Sequence, residues 1–235
     1  MTVPAIWAVI PAAGRGTRFG GEVPKQYLEA AGQPLIEHAL DALLSHPRVD
    51  GAMVALAADD PHWPGWTELH GKPVLRCTGG GERADSVLAA LQALPPDIGD
   101  DALVLVHDAA RPNLQRGDLD RLIDAACIEA DGAILAAPVR DTLKRAGSGA
   151  RIVATEPREA LWRALTPQAF RRGALVDALR QAQSAGIVVT DEAMAMEHVG
   201  ARPRLVEGRE DNLKVTTPAD LALADHLLSR RASRP

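Results

Sequence analysis

The chain has 235 residues and a net charge of −5, a size that suits one large α/β domain or two small ones. Hydrophobic residues make up 46% of the chain and charged residues 24%, which is ordinary for a globular protein. The acidic balance argues against general binding to nucleic acid or to membranes. An aromatic content of only 3% also argues against a base-stacking platform for single strands.

The N-terminal region lacks a charged segment in front of its short apolar run, so we expect no signal peptide. No run approaches the ~20 apolar residues of a membrane-spanning helix. Cys77 and Cys127 lie in apolar segments without metal-ligand spacing, so we expect two reduced core thiols. Together these features predict a cytoplasmic protein.

Apolar runs of strand length alternate with helix-like segments along the chain. The runs are mostly continuous, which is typical of strands covered on both faces, and they predict strands over 6–11, 51–57, 72–77, 102–107, 132–138 and 202–208. Apolar positions at helical spacing predict helices over 34–46, 82–94, 116–130, 167–186 and 217–231. This alternation predicts an α/β fold with a Rossmann-like, mostly parallel sheet flanked by helices.

The segment 139–158 breaks this rhythm, because two short strand-like pieces flank a Gly-Ser-Gly turn. A two-stranded hairpin is marginal alone in water, so it either folds over its own domain or packs against another chain. No linker divides the remaining sequence. We therefore predict a single domain over 1–231 that includes a projecting β-hairpin arm at 139–158, followed by a disordered tail at 232–235.

The stretch PAAGRGTRFGGEVPK at 11–25 combines glycines with Arg18 and Lys25. A dinucleotide fingerprint would need glycine where Phe19 stands, and no P-loop motif occurs, which argues against an NAD-dependent oxidoreductase. Glycines let backbone N–H groups approach phosphate oxygens. Taken alone, the loop fits either a phosphate site or a turn with solvated charges.

Seven stretches in order resemble the 2-C-methyl-D-erythritol 4-phosphate cytidylyltransferase family of the nucleotidyltransferase superfamily. They are residues 11–38, 79–87, 106–112, 136–145, 161–170, 190–197 and 206–221. The first is shared by many nucleotidyltransferases, whereas HDAARP and DNLKVT are much narrower. The resemblance spans nearly the whole chain. It implies a CTP-using enzyme of non-mevalonate isoprenoid synthesis that forms 4-diphosphocytidyl-2-C-methyl-D-erythritol and pyrophosphate.

The implied reaction is attack by the substrate's phosphate oxygen on the α-phosphorus of CTP. Such a transfer needs cations and backbone amides more than a nucleophilic side chain. The resemblance implies catalytic roles for Arg18, Lys25 and Lys214, with Mg²⁺ or another divalent cation held largely by phosphates and water. Outside its motif, Lys214 would be interpreted as a solvated loop lysine.

The resemblance also implies where the nucleotide binds. The nucleotide-binding residues would be Pro11, Ala12, Ala13, Gly14, Gly16, Gly80, Gly81 and Ser86. Hydrogen bonds from such a set distinguish cytosine from uracil. One common form of the motif has an acidic residue at Gly81, so glycine preserves a backbone contact there but removes a carboxylate. The alternative for Ser86 is a helix residue without a ligand.

Asp108 ends an apolar strand, where open α/β sheets bind ligands. The resemblance implies that it contacts the erythritol moiety or Mg²⁺, which makes it the candidate metal ligand. His107 is expected to be structural, because an ionised phosphate needs no base.

The arm is implied to embrace a second subunit, which makes the expected species a C₂ homodimer. Thr142 and Arg158 would then reach the substrate phosphate in the partner's site, with Arg111 nearby. The alternative for Thr142 and Arg158 is an exposed turn and a surface helix cap.

Two other functions stay open at this point. One is a cytidylyltransferase for another polyol phosphate, such as ribitol 5-phosphate, because its nucleotide half would look similar. The other is a non-catalytic regulator that binds nucleotide on the same fold. The presence of both Lys25 and Lys214 argues against the regulator, since it would not need paired phosphate-binding cations.

Overall fold

Within the residues that the structure describes, a central sheet of eight strands organises the fold. The computed structural model describes residues 4–14 and 23–232, so Gly16, Arg18 and the tail residues 233–235 lie outside the described residues. In the described part of the chain, no helix has both the length and the apolar character needed to cross a membrane.

Strands and helices alternate along most of the described chain. The strands are β1 (Ile6–Pro11), β2 (Glu29–Ala30), β3 (Gln33–Pro34), β4 (Gly51–Leu56), β5 (Glu68–Leu69), β6 (Lys72–Thr78), β7 (Leu103–Val106), β8 (Ala133–Pro138), β9 (Leu143–Ala146), β10 (Ile152–Glu156), β11 (Trp162–Arg171) and β12 (Arg204–Glu207). The helices are α1 (Leu35–Leu44), α2 (Arg83–Gln92), α3 (Arg116–Ile128), α4 (Arg172–Ser184), α5 (Glu192–His198) and α6 (Pro218–Ala232). The six predicted apolar runs all form strands of the central sheet.

The strand order across the central sheet is β12-β8-β11-β7-β1-β4-β6-β5. β11 runs antiparallel to β7 and β8, and β5 runs antiparallel to β6. The other neighbouring strands pair in parallel. The predicted α/β fold with a mostly parallel sheet is therefore confirmed.

Side chains of the central strands alternate between two apolar cores. On β1, Ile6 and Ile10 pack in the core that includes residues of α1 and α3, whereas Trp7 and Val9 pack in the core that includes residues of α2 and α4. All four side chains are at most 5% exposed. Because water is excluded from both faces, the strand is apolar at every position, as its continuous run predicted.

The predicted helix over 167–186 is wrong in its first five residues. Residues 167–171 belong to β11, and α4 begins at Arg172. Gln168 pairs with Val106 of β7 on one side and with Ile134 of β8 on the other. Pairing on both sides in a buried sheet outweighs the local helical pattern. The helix α5 and the short strands β2, β3 and β5 were also not predicted.

The segment predicted as an arm forms a hairpin separate from the central sheet. β9 and β10 pair antiparallel, and Gly149 in the connecting turn takes a φ of 66°, which glycine adopts without strain. Ile152 and Val153 are 69% and 67% exposed. The packing of this hairpin against another chain stays a prediction.

The carboxyl ends of β1, β4, β6 and β7 meet at one edge of the sheet. The chain passes from β1 to β4 on one side of β1, and later to β7 on its other side. Ligands of open α/β sheets bind at such a switch point, beyond the carboxyl ends of the strands.

Candidate active site

An open cleft with about 640 Å³ of unfilled space lies at this edge of the sheet. Its described walls come from the end of β1, the turn after the glycine-rich loop, the loop before α2, the end of β7 and the loop before α6. The structure brings together at this cleft ten predicted site residues, namely Pro11, Ala12, Ala13, Gly14, Lys25, Gly80, Gly81, Ser86, Asp108 and Lys214.

Three other predicted site residues are not among the described lining residues. Arg111 lies behind Asp108, with 3.7 Å between its Nε and Asp108 Oδ2. Thr142 is exposed just before β9, and Arg158 is exposed beyond β10, where it donates to the carbonyl of Arg140. Gly16 and Arg18 lie outside the described residues. The roles of all these residues stay predictions.

Lys25 opens a 3₁₀ turn that is anchored to the end of β1. The neighbouring Gln26 is 5% exposed, and its Nε2 donates to the carbonyl of Ala12 at 2.7 Å. The backbone N–H of Ala12 in turn donates to the carbonyl of Ala55 at 2.8 Å. These bonds fix the turn against the sheet, so the backbone of Lys25 is held at the cleft wall.

The loop before α2 is closed by the buried hydroxyl of Ser86. Ser86 Oγ accepts from the N–H of Gly80 at 3.1 Å and donates to the carbonyl of Glu82 at 3.2 Å. A Cβ on Gly80 would lie 2.3 Å from Cβ of Asp85, whereas one on Gly81 would meet nothing within 4 Å. Packing therefore requires glycine at position 80, and position 81 has room for a side chain.

Asp108 is a buried carboxylate among three cations. Its Oδ1 accepts from Arg83 Nε at 2.9 Å, and its Oδ2 pairs with Lys214 Nζ at 2.9 Å. Its backbone N–H donates to Thr166 Oγ1 at 3.1 Å. Burial alone raises the pKa of this carboxyl group, but the charges of these two cations and of Arg111 outweigh burial and hold the pKa well below its ordinary range. Asp108 is therefore ionised near neutral pH.

Arg83 bridges two carboxylates, a feature that the sequence interpretation missed. Its Nη1 and Nη2 donate to Glu192 at 2.6 and 3.1 Å, while its Nε donates to Asp108. Glu192 is fully buried. Burial lowers the pKa of Arg83, but the two carboxylates outweigh it and raise the pKa above its ordinary range. The sequence did contain one signal for this bridge, because Arg83 and Glu192 both lie in family motifs, at 79–87 and 190–197.

The loop that carries Lys214 is tied to the segment after β7. Arg111 Nη1 donates to the carbonyl of Asn212 at 2.8 Å, and the N–H of Val215 donates to the carbonyl of Ala110 at 2.8 Å. These bonds lie on either side of Lys214 in the chain. They explain how a lysine from the last motif reaches the cleft that Lys25 lines.

His107 is fully buried, and both of its ring nitrogens have protein partners. Nε2 lies 3.0 Å from the carbonyl of Arg111, and Nδ1 lies 2.9 Å from Thr166 Oγ1. A carbonyl only accepts, so Nε2 carries the proton and Nδ1 accepts from the hydroxyl. Burial lowers the pKa of His107 to about 4. A neutral, fully bonded ring supports the predicted structural role.

The described part of the cleft offers few ligands for a divalent cation. Across residues 4–14 and 23–232, no three His, Cys, Asp or Glu side chains group in a way that could hold a metal. The acidic side chains among the described lining residues are Glu82 and Asp108. Both oxygens of Asp108 are paired with Arg83 and Lys214, so this donor set fits Mg²⁺ that is bound mainly by phosphate oxygens and water. The role of Asp108 as a metal ligand stays a prediction.

A cleft that combines bare glycine backbone with two lysines, at the switch point of a mostly parallel sheet, is the kind of site that binds nucleotide phosphates. The family described as IspD, 2-C-methyl-D-erythritol 4-phosphate cytidylyltransferase, matches residues 6–230. The chain belongs to this family, which confirms the resemblance inferred from the motifs.

Known relatives and solved structures agree with this assignment. A 2-C-methyl-D-erythritol 4-phosphate cytidylyltransferase of Stenotrophomonas maltophilia (strain K279a) is 65% identical over 228 residues, which cover 97% of this chain and 98% of the relative. A crystal structure of 4-diphosphocytidyl-2C-methyl-D-erythritol synthase is 38% identical with a TM-score of 0.83, covering 97% of this chain and 100% of that chain. The Francisella tularensis 2-C-methyl-D-erythritol 4-phosphate cytidylyltransferase is 32% identical with a TM-score of 0.80, covering 94% and 99%.

Proposed function

We propose that this chain transfers the cytidylyl group of CTP to 2-C-methyl-D-erythritol 4-phosphate, forming 4-diphosphocytidyl-2-C-methyl-D-erythritol and pyrophosphate in isoprenoid precursor synthesis. The observation that carries the proposal is that Lys25 and Lys214, from opposite ends of the chain, line one cleft together with the backbone of Gly14 and Gly80. The family and the name of the 65% identical relative identify the substrate.

The reaction exchanges one phosphorus–oxygen bond for another. A phosphate oxygen of the polyol phosphate attacks the α-phosphorus of CTP, and the bond from that phosphorus to the α,β-bridging oxygen breaks. Pyrophosphate leaves with the electron pair. The attacking phosphate is already ionised, so the protein supplies no base and no nucleophile. Its task is to align two anions that repel each other.

Cations stabilise the charge that develops during this transfer. Lys25 and Arg18 would lie along the triphosphate, and Lys214 would approach the reacting phosphate. A donor placed at developing negative charge contributes roughly 10²–10³-fold to the rate. A bound Mg²⁺ would neutralise part of the triphosphate charge, with Asp108 as its candidate protein ligand.

The nucleotide base would lie against the loop before α2. The Gly80 and Ala12 carbonyls can accept from the amino group of cytosine, and the N–H of Gly81 can donate to its ring nitrogen. Ser86 holds this loop in shape through its bond with Gly80. A site committed to these bonds leaves polar groups unpaired when uracil enters, which disfavours UTP.

The polyol phosphate would bind beside Asp108. The ionised carboxylate can accept a hydrogen bond from an erythritol hydroxyl, and Arg111 adds positive charge behind it. Thr142 and Arg158 would donate to the substrate phosphate in the site of a second subunit, since both are exposed on the arm. We therefore propose a single domain that forms a homodimer through the arm at 139–158.

The cytoplasm is the proposed location of this reaction. Cys77 and Cys127 are both free and partly buried, which suits a reducing compartment such as the cytoplasm. This placement depends on the proposed activity rather than on a targeting feature.

Pyrophosphate release from purified protein tests the proposal. We expect release only when CTP, 2-C-methyl-D-erythritol 4-phosphate and Mg²⁺ are all present. The panel should include UTP, ATP and GTP as nucleotides and ribitol 5-phosphate as a competing polyol phosphate. Equal turnover with ribitol 5-phosphate would assign the other substrate, and CTP binding without pyrophosphate release would indicate a non-catalytic regulator.

A further inference from the structure

Glu192 is a buried carboxylate one side chain away from the cleft. It stands in the first turn of α5, whose start is fixed by Gln168 of β11. Gln168 Oε1 accepts from the N–H of Ala193 at 2.8 Å, and its Nε2 donates to Asp191 at 2.8 Å. Asp191 also caps the helix by accepting from the N–H of Met194 at 3.0 Å. The position of Glu192 is therefore set by the sheet.

The pairing of Glu192 with Arg83 is not explained by stability alone. Glu192 is 0% exposed, whereas the side chain of Arg83 is 25% exposed and lines the cleft. Burying a carboxylate carries a large desolvation cost, and a buried ion pair often stabilises a protein no more than apolar side chains of similar volume. Because this ion pair is costly to bury and Arg83 lines the cleft, the pair has a role in the site itself.

The hydrogen bonds of Arg83 show that its pairing with Glu192 determines which of its nitrogens is left for Asp108. Both terminal nitrogens of Arg83 are committed to Glu192, so only Nε remains for Asp108 Oδ1. Asp108 Oδ2 is left for Lys214 at 2.9 Å. Without Glu192, the terminal nitrogens of Arg83 could take both oxygens of Asp108 in a bidentate fork. Lys214 would then lose its partner.

We propose that Glu192 is a positioning residue that acts through Arg83 to orient Asp108 and so to hold Lys214 at the reacting phosphates. Glu192 itself touches no reactant. This inference rests on the proposed function, because it deepens the description of that same site. In this view Glu192, Arg83, Asp108 and Lys214 form one network of ion pairs, and each residue comes from a different motif.

Glu192→Gln tests the inference, because it keeps the shape of the side chain and removes its charge. Misplacement of a reacting group by about 1 Å can cost roughly 100-fold in rate. We expect kcat/KM for 2-C-methyl-D-erythritol 4-phosphate to fall by about 10- to 100-fold. The KM for CTP should change by less than about threefold, since the loop of Gly80 and Ser86 keeps its contacts.

Arg83→Ala and the double variant Arg83→Ala/Glu192→Gln separate positioning from a structural effect. If Glu192 acts only through Arg83, the double variant is no slower than Arg83→Ala alone. Glu129→Gln is the matched control, because it makes the same Glu-to-Gln change in an ion pair with Arg204 at 2.9 Å, and neither residue is among the described cleft lining. We expect this control to leave the kinetic constants of the folded protein unchanged.

Three results would overturn the inference. They are wild-type kinetics in folded Glu192→Gln, fully additive losses in the double variant, and an equal rise of both KM values with unchanged kcat. If Glu192→Gln does not fold, Arg83→Lys decides, because lysine keeps the charge but cannot bridge two carboxylates as a fork. Wild-type kinetics there would also overturn it. An inactive wild-type protein would instead refute the proposed function, and the inference with it.

Discussion

Lys214 and Asp108 form an ion pair, with 2.9 Å between Nζ and Oδ2, that joins the last motif of the chain to the end of a central strand. The side chain of Lys214 is 41% exposed and that of Asp108 is 10% exposed. The ammonium group is thus held by a buried anion on one side and open to the cleft on the other. Such a placement limits the reorganisation that the lysine must undergo when a phosphate binds.

Lys214→Ala should abolish most of the activity while the fold survives. We expect kcat to fall by roughly 10²–10³-fold. Asp108 keeps Arg83 and Arg111 as partners, so the melting temperature should change by no more than about 5 °C.

Lys72→Ala is the matched control. Lys72 begins β6, at the end of the strand that is remote from the cleft, and it donates to the carbonyl of His46. Steady-state kinetics and thermal melts of both variants make the comparison. An active Lys214→Ala enzyme would remove this lysine from the mechanism.

Two adjacent glycines should respond differently to a methyl group. Gly80→Ala places a Cβ 2.3 Å from Asp85 Cβ, whereas Gly81→Ala enters open space. Overpacking of this kind costs about 1–3 kcal/mol, so Gly80→Ala should lower the melting temperature and raise the KM for CTP. Gly81→Ala and Gly81→Asp should keep both values near those of the wild type. Equal damage from Gly80→Ala and Gly81→Ala would contradict this account of the loop.

The sequence predicts six strands of the central sheet, but it misses β5, β11 and the bridge between Arg83 and Glu192. Strands buried on both faces are apolar throughout, so their composition alone indicates them. Residues 167–171 form a strand and not the predicted helix, because pairing with two distant strands outweighs their local pattern. Glu192 stands in the first turn of α5, where acidic residues are common, so nothing in its local sequence marks it as part of the site. Its partner Arg83 lies 109 positions away. The two meet only in the folded chain, where α4 packs against both α2 and α5.

Stability should fall as the pH drops from about 6.5 toward 4, with His107 contributing to the loss. Burial lowers the pKa of this group from 6.5 to about 4, so between these values the unfolded chain binds a proton that the folded chain does not. The contribution of His107 is complete above pH 6.5 and is lost on acidification, by about 3 kcal/mol in all. The depressed pKa of Asp108 acts in the same direction, but only below its unfolded value of 3.8.

Urea unfolding of the wild type and of His107→Gln at about pH 7, 6 and 5 measures this effect. The variant should be less stable at neutral pH, and its free energy of unfolding should depend less on pH. The two proteins differ only at position 107, so the difference between the two curves isolates that side chain. Parallel curves would show that His107 titrates normally.

Mixed dimers should recover activity if the arm completes the partner's site. Arg158→Ala and Lys25→Ala homodimers are each expected to be nearly inactive. In a mixed dimer one site has both residues intact, so random exchange of subunits should restore about one quarter of wild-type activity. Subunit exchange is verified with two differently tagged chains. Full inactivity of verified mixed dimers would place Arg158 outside the partner's site.

We expect the ammonium groups of Lys25 and Lys214 to bind the triphosphate of one CTP molecule. A crystal structure of the protein with CTP and Mg²⁺ measures this directly. Both Nζ atoms should lie about 3 Å from phosphate oxygens of the same CTP molecule, with the cytosine against Gly80 and Gly81. A bound CTP with either ammonium group directed into solvent would contradict it.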